Sequence, residues 1–152
     1  MKRCLILHGP NLNTLGRREP ALYGHHTLSD VNAFLLEAGK TLGVEVTTQQ
    51  SNEEGVLITW VQEADQSYDG LIINGGGYSH TSVALHDALK AISIPIVEVH
   101  MTNLWKREPF RHTSLIGALA IGTIAGFGWR SYLYALRALA DYWKEKNESA
   151  GS

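Results

Sequence analysis

The sequence predicts a doubly wound α/β protein, a three-layer sandwich around a five-stranded parallel sheet of order 2-1-3-4-5. Three observations carry this. Five short apolar runs alternate with about four longer stretches of helical periodicity. Three of those runs are apolar throughout but for Glu98 in the fourth run, as strands covered on both faces are. At 152 residues the chain is too short for an eightfold β/α barrel, which takes roughly 250 residues. Strand–helix alternation implies right-handed crossovers and an open sheet. In the order 2-1-3-4-5 the first and third strands diverge, and ligands bind beyond their carboxyl ends.

The elements follow in order. The first strand is Cys4 to Leu7. A long segment over 8–26 precedes a helix on which Leu28, Val31, Leu35, Ala38 and Leu42 recur at helical spacing. Thr27 is its N-cap, with Asp30 three residues on, and Gly43 its stop. Val44 to Thr48 alternates apolar and polar residues, as an edge strand does. Ser51 and Glu54 read as a capping box for a helix with Val56, Leu57, Trp60, Val61 and Ala64 on one face. Leu71 to Ile73 is the third strand. Leu85, Ala88, Leu89 and Ile92 mark the next helix, which Pro95 stops. Ile94 to Val99 is the fourth strand and Ala118 to Ala125 the fifth. Trp129, Tyr132, Leu133, Leu136, Leu139, Ala140 and Trp143 line a last helix, and 144–152 reads as a polar, frayed tail. The whole of 1–152 reads as one domain, without repeat or linker.

Composition narrows the function classes. With 44% hydrophobic and 18% charged residues the chain is not disordered. A formal net charge of -2 argues against a nucleic-acid partner, but not against a small anion held by local arginines. The single cysteine, Cys4, lies in an apolar run and reads as a small buried hydrophobe in a reducing compartment. No apolar stretch reaches the ~18 residues of a membrane span. The start MKRCLILHGP is too short for a signal peptide, so a cytoplasmic location is expected.

Polar residues collect where the sheet order wants them, after the first, third and fourth strands. The segment HGPNLNTLGRREPALYGHH (8–26) carries Asn11, Arg17, Arg18 and Tyr23. NGGGYSHTS (74–82) carries Asn74 and His80. HMTNLWKREPFRHTS (100–114) carries His100, Met101, Thr102, Arg107 and Arg111. Each residue alone has a bland reading as a turn former, cap or solvated charge. Together they fill one crevice with Asn, His, Arg and Tyr and little Lys or Glu. The glycines at 75–77 fit neither G-x-G-x-x-G nor G-x-x-x-x-G-K-[ST], so a nucleotide site lacks support, and the phosphate-binding Ser/Thr of a flavin site are missing after the first strand. His25 and His26 are adjacent and His80 and His86 six apart, neither the spacing of a helical metal site. No metal and no cofactor is expected.

HGPNLNTLGRREPALYG, QSNEEG, NGGGYSHTSVALHDAL and EVHMTNLWKREPFRHTS together resemble the type II 3-dehydroquinate dehydratases, in order and spacing from about residue 4 to about residue 142. The resemblance implies a flavodoxin-like, cofactor-free lyase, a dodecamer built as a tetramer of trimers. Such an enzyme converts 3-dehydroquinate to 3-dehydroshikimate in the shikimate pathway or in quinate breakdown. By position it implies Tyr23 as the base at carbon 2, Arg18 beside it, and His100 as the acid for the departing hydroxyl. Asn11 helps hold a water and the enolate oxygen. Asn74, His80 and Arg111 grip ring hydroxyls, while Thr102 and the backbone of Met101 and Thr102 take the carboxylate. Glu98 orients His100, Arg107 is a loop position near the site, and Asp87 faces the neighbouring subunit.

The chemistry asks for such groups independently. A proton beside a ketone is weakly acidic, so the enolate needs stabilisation as it forms. A free tyrosine is mostly neutral at pH 7, and nearby guanidiniums favour its phenolate; Arg17 and Arg18 are expected to serve Tyr23 in this way. Histidine suits the acid role, and the long loop is expected to close over the site. The sequence departs from the usual pattern at His8 (Asn), Gly75 and Gly76 (Pro or Ala), His86 (Arg), Thr102 (Ser), Trp105 and Lys106 (His-Ala) and Ser131 (Gly). His8 is expected to act indirectly, and the glycines to loosen the loop that carries His80. A non-enzymatic binding module for a small acid is the competing reading, and it has no need of Tyr23 and His100 together.

Overall fold

The computed structural model describes residues 1–151. Five strands form one all-parallel sheet: β1 (Lys2–His8), β2 (Val44–Gln50), β3 (Gly70–Asn74), β4 (Ile96–His100) and β5 (Gly122–Ala125). Their order is β2-β1-β3-β4-β5, as expected. The helices are α1 (Pro20–Tyr23), α2 (Leu28–Leu42), α3 (Glu54–Ser67), α4 (Tyr78–Thr81), α5 (Val83–Ala91) and α6 (Arg130–Gly151).

Two-residue alternation along β1 separates two cores. Cys4 and Ile6 join Ile72, Val97 and Val99 under α2 and α6, against Val31, Leu35, Tyr132, Leu136 and Leu139. Leu5 and Leu7 join Leu71 and Ile73 on the other face, under Leu57 and Val61 of α3 and Leu85 and Leu89 of α5. Both faces are covered, which is why Cys4–Leu7 of β1 and Leu71–Ile73 of β3 read as unbroken apolar runs. The edge strand β2 buries Val44 and Val46 between the exposed Glu45 and the half-exposed Thr47. Gly70 has no room for a side chain, since a Cβ there would lie 2.7 Å from the Trp143 ring. Cys4 is fully buried, and burial, partly offset by a backbone hydrogen bond from Ile72, pushes its thiol pKa up to about 12. It is an inert core residue, as the apolar run implied.

α2 starts and stops where the sequence said. Thr27 and Asp30 form a reciprocal capping box, and Gly43 takes the left-handed C-cap (φ 70°). Elsewhere the boundaries differ. The Ser51–Glu54 box does not form: α3 is capped at Glu53, so Glu54 is the first helical residue and cannot reach back. Ser51 Oγ instead accepts the Glu53 N–H at 2.9 Å, and the Glu54 carboxylate accepts from Ser82. Ser82 caps α5 through the Leu85 N–H. The fourth strand begins only after Pro95 and runs through His100. The fifth apolar run is a 3₁₀ turn at Gly117–Leu119 followed by a short β5. The residues expected to fray continue α6 to Gly151, and Ser152 lies outside the described residues.

The connections leaving β1 and β3 run to opposite faces of the sheet, α2 on one and α5 on the other, and this positions the site. His8 and Asn74 are register partners at the carboxyl ends of these strands. Beyond them Gly9 donates its N–H to the Asn74 carbonyl at 2.7 Å. A Cβ on Gly9 would lie 2.7 Å from the Gly75 backbone, and one on Gly75 would lie 2.6 Å from Ser79 Oγ. Gly76 has φ +56°, a region costly for residues with a Cβ. These glycines let two loops touch, and the Gly75–Gly76 segment is tight rather than slack.

Candidate active site

The crevice opens above the switch between β1 and β3. It is walled by residues of three connections: 10–23 after β1, 74–80 after β3 and 100–111 after β4. Of the residues singled out in the sequence, Asn11, Arg18, Tyr23, Asn74, His80, His100, Met101, Thr102, Arg107 and Arg111 line it.

Tyr23 ends the single turn α1, where Gly24 donates to the Pro20 carbonyl and closes the turn. The turn hangs from strained backbone. Glu19 holds φ 41° directly before Pro20, and Asn11, at the other end of the loop, holds φ 70°. Asn tolerates this region better than most residues. Two guanidiniums flank the Tyr23 ring: Arg18 Cζ lies 5.6 Å from its centroid and Arg107 Cζ 5.4 Å. The expected pair was Arg17 and Arg18. Arg17 is exposed and does not line the crevice, and the second cation comes instead from the loop after β4. Arg107 is held by the Thr102 hydroxyl at 3.3 Å, and its side chain is only 10% exposed.

His100 and Glu98 lie two apart on β4 and so share a face. His100 Nε2 donates to Glu98 Oε2 at 2.8 Å. Glu98 is 1% exposed and accepts two further hydrogen bonds, from Ser114 Oγ at 2.6 Å and Thr123 Oγ1 at 3.0 Å. Burial alone would raise its carboxyl pKa. The hydrogen bonds from His100, Ser114 and Thr123, with the charge of His100, outweigh that and hold it below the ordinary carboxylate value. With Nε2 committed to Glu98, Nδ1 is the ring nitrogen left to exchange a proton with the crevice.

His80 stacks on His100, with ring centroids 5.8 Å apart. Its Nδ1–H donates to the Thr113 carbonyl at 2.7 Å, which leaves Nε2 as an acceptor in the neutral ring. Burial lowers its pKa, helped by the charges of His100 and Arg111. Arg111 is bound by Glu108 at 2.7 Å, and Glu108 also lies 3.9 Å from Arg107. The crevice is therefore lined by three arginines, with the nearest buried carboxylate already paired. This is a setting for a small anion. Among the described residues no group of three His, Cys, Asp or Glu converges as metal ligands.

The family model described as "Dehydroquinase class II" matches residues 2–140. The chain belongs to the class II, or type II, dehydroquinases. It is similar to the 3-dehydroquinate dehydratase of Trichodesmium erythraeum, 48% identical over 95% of this chain and 96% of that one. The namesake protein of Synechocystis is 54% identical over 92% of each chain. The crystal structure of type II dehydroquinase from Propionibacterium acnes superposes with a TM-score of 0.90 at 42% identity, covering 93% of this chain and 97% of that one. The chain thus shares the fold of that dehydroquinase.

Asp87, expected at a subunit boundary of the dehydroquinase assembly, is exposed on α5 and does not line the crevice of its own chain. Several supporting residues were not singled out from the sequence. Ser114 and Thr123 hold Glu98, Glu108 clamps Arg111, and Tyr132 and Asn32 bond His8. A glutamate inside an otherwise apolar strand was the available signal, since once buried it demands donors. Which hydroxyls supply them is a long-range matter. Two departures have local explanations: Ser131 Oγ accepts the Phe127 N–H at 3.0 Å, and His86 Nδ1 bonds the Leu115 carbonyl.

Proposed function

We propose that the chain catalyses loss of water from 3-dehydroquinate to give 3-dehydroshikimate, the activity for which its curated relatives are named. It does so within the shikimate pathway or, by the same reaction, in quinate breakdown. Tyr23 takes the proton from carbon 2, and the electron pair moves onto the carbonyl oxygen as an enolate that Asn11 helps to hold. The enolate then re-forms the ketone, the double bond forms between carbons 1 and 2, and the bond from carbon 1 to its hydroxyl breaks. His100 gives that hydroxyl a proton, so it leaves as water. Asn74, His80 and Arg111 hold ring hydroxyls. Thr102 and the backbone N–H groups of Met101 and Thr102 receive the carboxylate. The reaction needs no cofactor or metal. Residues 1–152 act as one catalytic domain in the cytoplasm. Twelve copies assemble as four trimers, and Asp87 faces the neighbouring subunit.

What carries this reading is one crevice that holds a tyrosine ring between two guanidiniums and a histidine bonded to a buried carboxylate. A phenolate base and an imidazolium acid suit an elimination beside a ketone. Adding 3-dehydroquinate to chelator-treated protein should raise the enone absorbance of the product. Tyr23→Phe, checked for fold and oligomeric state, should lose at least ~10²-fold in kcat, the lower end for a removed general base. Full turnover by that variant removes Tyr23 as the base. A flat trace from folded wild-type protein overturns the activity itself.

A further inference from the structure

Behind the crevice, a buried polar chain joins Asn74 to two residues, His8 and Tyr132, that have no part in the proposed chemistry. His8 and Asn74 face each other across β1 and β3, and Tyr132 reaches them from α6. His8 and Tyr132 are fully buried and Asn74 is 4% exposed. Asn32 Oδ1 lies 2.8 Å from His8 Nε2, and the Tyr132 hydroxyl 2.8 Å from His8 Nδ1. Asn74 Nδ2 donates to that same hydroxyl at 3.0 Å, and Asn74 Oδ1 accepts the Gly76 N–H at 3.1 Å.

The direction of every bond follows from one end. A backbone N–H can only donate, so Asn74 must turn its carbonyl toward Gly76 and its amide nitrogen toward Tyr132. The Tyr132 oxygen therefore accepts, and its O–H has His8 Nδ1 as its acceptor. His8 is then neutral with its proton on Nε2, which donates to Asn32. Burial, only partly opposed by the Asn32 bond, keeps the ring neutral by lowering its pKa to about 4. Turning the Asn74 amide over would break the Gly76 bond and reverse the whole relay, leaving buried groups unpaired. Asn74 Nδ2 has two hydrogens and Tyr132 takes one.

We propose that Tyr132 and His8 are positioning residues that lock the Asn74 amide, so that its second N–H faces the crevice as a fixed donor to a ligand hydroxyl. This rests on the reading that Asn74 contacts the substrate. The same lock sets the Gly76 turn, another part of the crevice wall. His8 thus performs from β1 a task whose effect appears on β3.

Tyr132→Phe deletes one oxygen and keeps the ring in the core. With 3-dehydroquinate as the probe, KM should rise about three- to tenfold, the scale of one neutral hydrogen bond. The kcat should stay within about twofold, because the contact serves ground and transition states alike. His8→Leu should raise KM similarly. His8→Asn should recover most of that loss, since its Oδ1 falls where Nδ1 lies and again accepts from Tyr132. Combined with Tyr132→Phe, His8→Leu should add little, as members of one relay do. If Asn74→Leu raises KM while Tyr132→Phe does not, the lock is wrong and the Asn74 contact stands. If Asn74→Leu leaves KM unchanged, the contact is wrong and the lock falls with it. If His8→Asn recovers nothing, His8 is a packing residue and the proposal fails. Should Tyr132→Phe not fold, the His8 pair alone decides.

Discussion

Glu98→Gln isolates charge from geometry at the proposed acid. The side chain is 1% exposed, and its two oxygens accept from His100, Ser114 and Thr123. Glutamine can keep its carbonyl on the Oε2 side, where His100 and Ser114 both donate. Its amide then faces Thr123, whose hydroxyl can rotate to accept. Shape and hydrogen bonding survive, and what is lost is the counter-charge to an imidazolium. A hydrogen bond to a charged partner is worth about 1.5–3 kcal/mol. The kcat for dehydration of 3-dehydroquinate should therefore fall about 10- to 150-fold, with the variant folded and its melting temperature below wild type near neutral pH by the lost charge alone. Steady-state rates followed by enone absorbance, with thermal melts on the same samples, measure both. Unchanged kcat in a folded Glu98→Gln protein would refute the view that the carboxylate supports the acid electrostatically. The substitution also has an acid signature. Because the folded-state pKa of Glu98 is depressed, its stabilisation is full above the ordinary 4.5 and fades as pH falls through the folded value. Glu98→Gln should not show that share of the acid loss.

Arg107→Ala should cost about 10- to 100-fold in kcat/KM, since it removes a largely buried charge from the Tyr23 ring, whereas Arg17→Ala should stay near wild type; equal losses would restore the Arg17–Arg18 pairing. His8 is neutral in the fold, with a pKa lowered from 6.5 to about 4, so the unfolded chain takes up its proton first. Wild type should lose on the order of 3 kcal/mol of stability relative to His8→Asn as pH falls from 7 to 4; parallel urea-melt curves at fixed protein concentration would contradict this. Leu136→Ala, at a fully buried site in the core between α6 and the sheet, should cost about 2–5 kcal/mol in the same melts, and a loss below ~1 kcal/mol would show that this face repacks.

The parts legible in the sequence are those set by local periodicity. Strand positions and sheet order follow from which runs are apolar on both faces, and the crevice follows from the order. Even Cys4 and the Thr27–Asp30 cap are local facts. The misreadings share a cause. Arg17 adjoins Arg18 in sequence, but neighbours in a turn point in different directions, and the true second cation comes from residue 107. The Ser51–Glu54 box has the right spacing, but Glu53 is the cap, so Glu54 sits one position into the helix rather than three. Tyr132 reads as one more apolar residue of the last helix, and its ring is indeed core. Its hydroxyl ties β1 to β3, and no pattern at helical period reports that. Ser114 and Thr123 are ordinary hydroxyls until the fold brings them to Glu98.

The two proposed proton-transfer groups sit on supports of opposite character. His100 closes a strand that is paired on both sides, and it is braced by a carboxylate with three donors. Its geometry is set by the sheet before any ligand arrives. Tyr23 rides on one helical turn entered through Glu19 at φ 41° directly before Pro20, backbone that is unfavourable on its own. Over the crevice its ring packs against the core beneath α2 and α6 and is flanked by two guanidiniums, one of which, Arg107, belongs to the loop that follows His100. The proposed base is therefore tied to the loop of the proposed acid through Arg107 as well as to its own chain neighbour Arg18. An anion entering among Arg18, Arg107 and Arg111 draws on the same cations that position the base, so binding and base placement are coupled by charge.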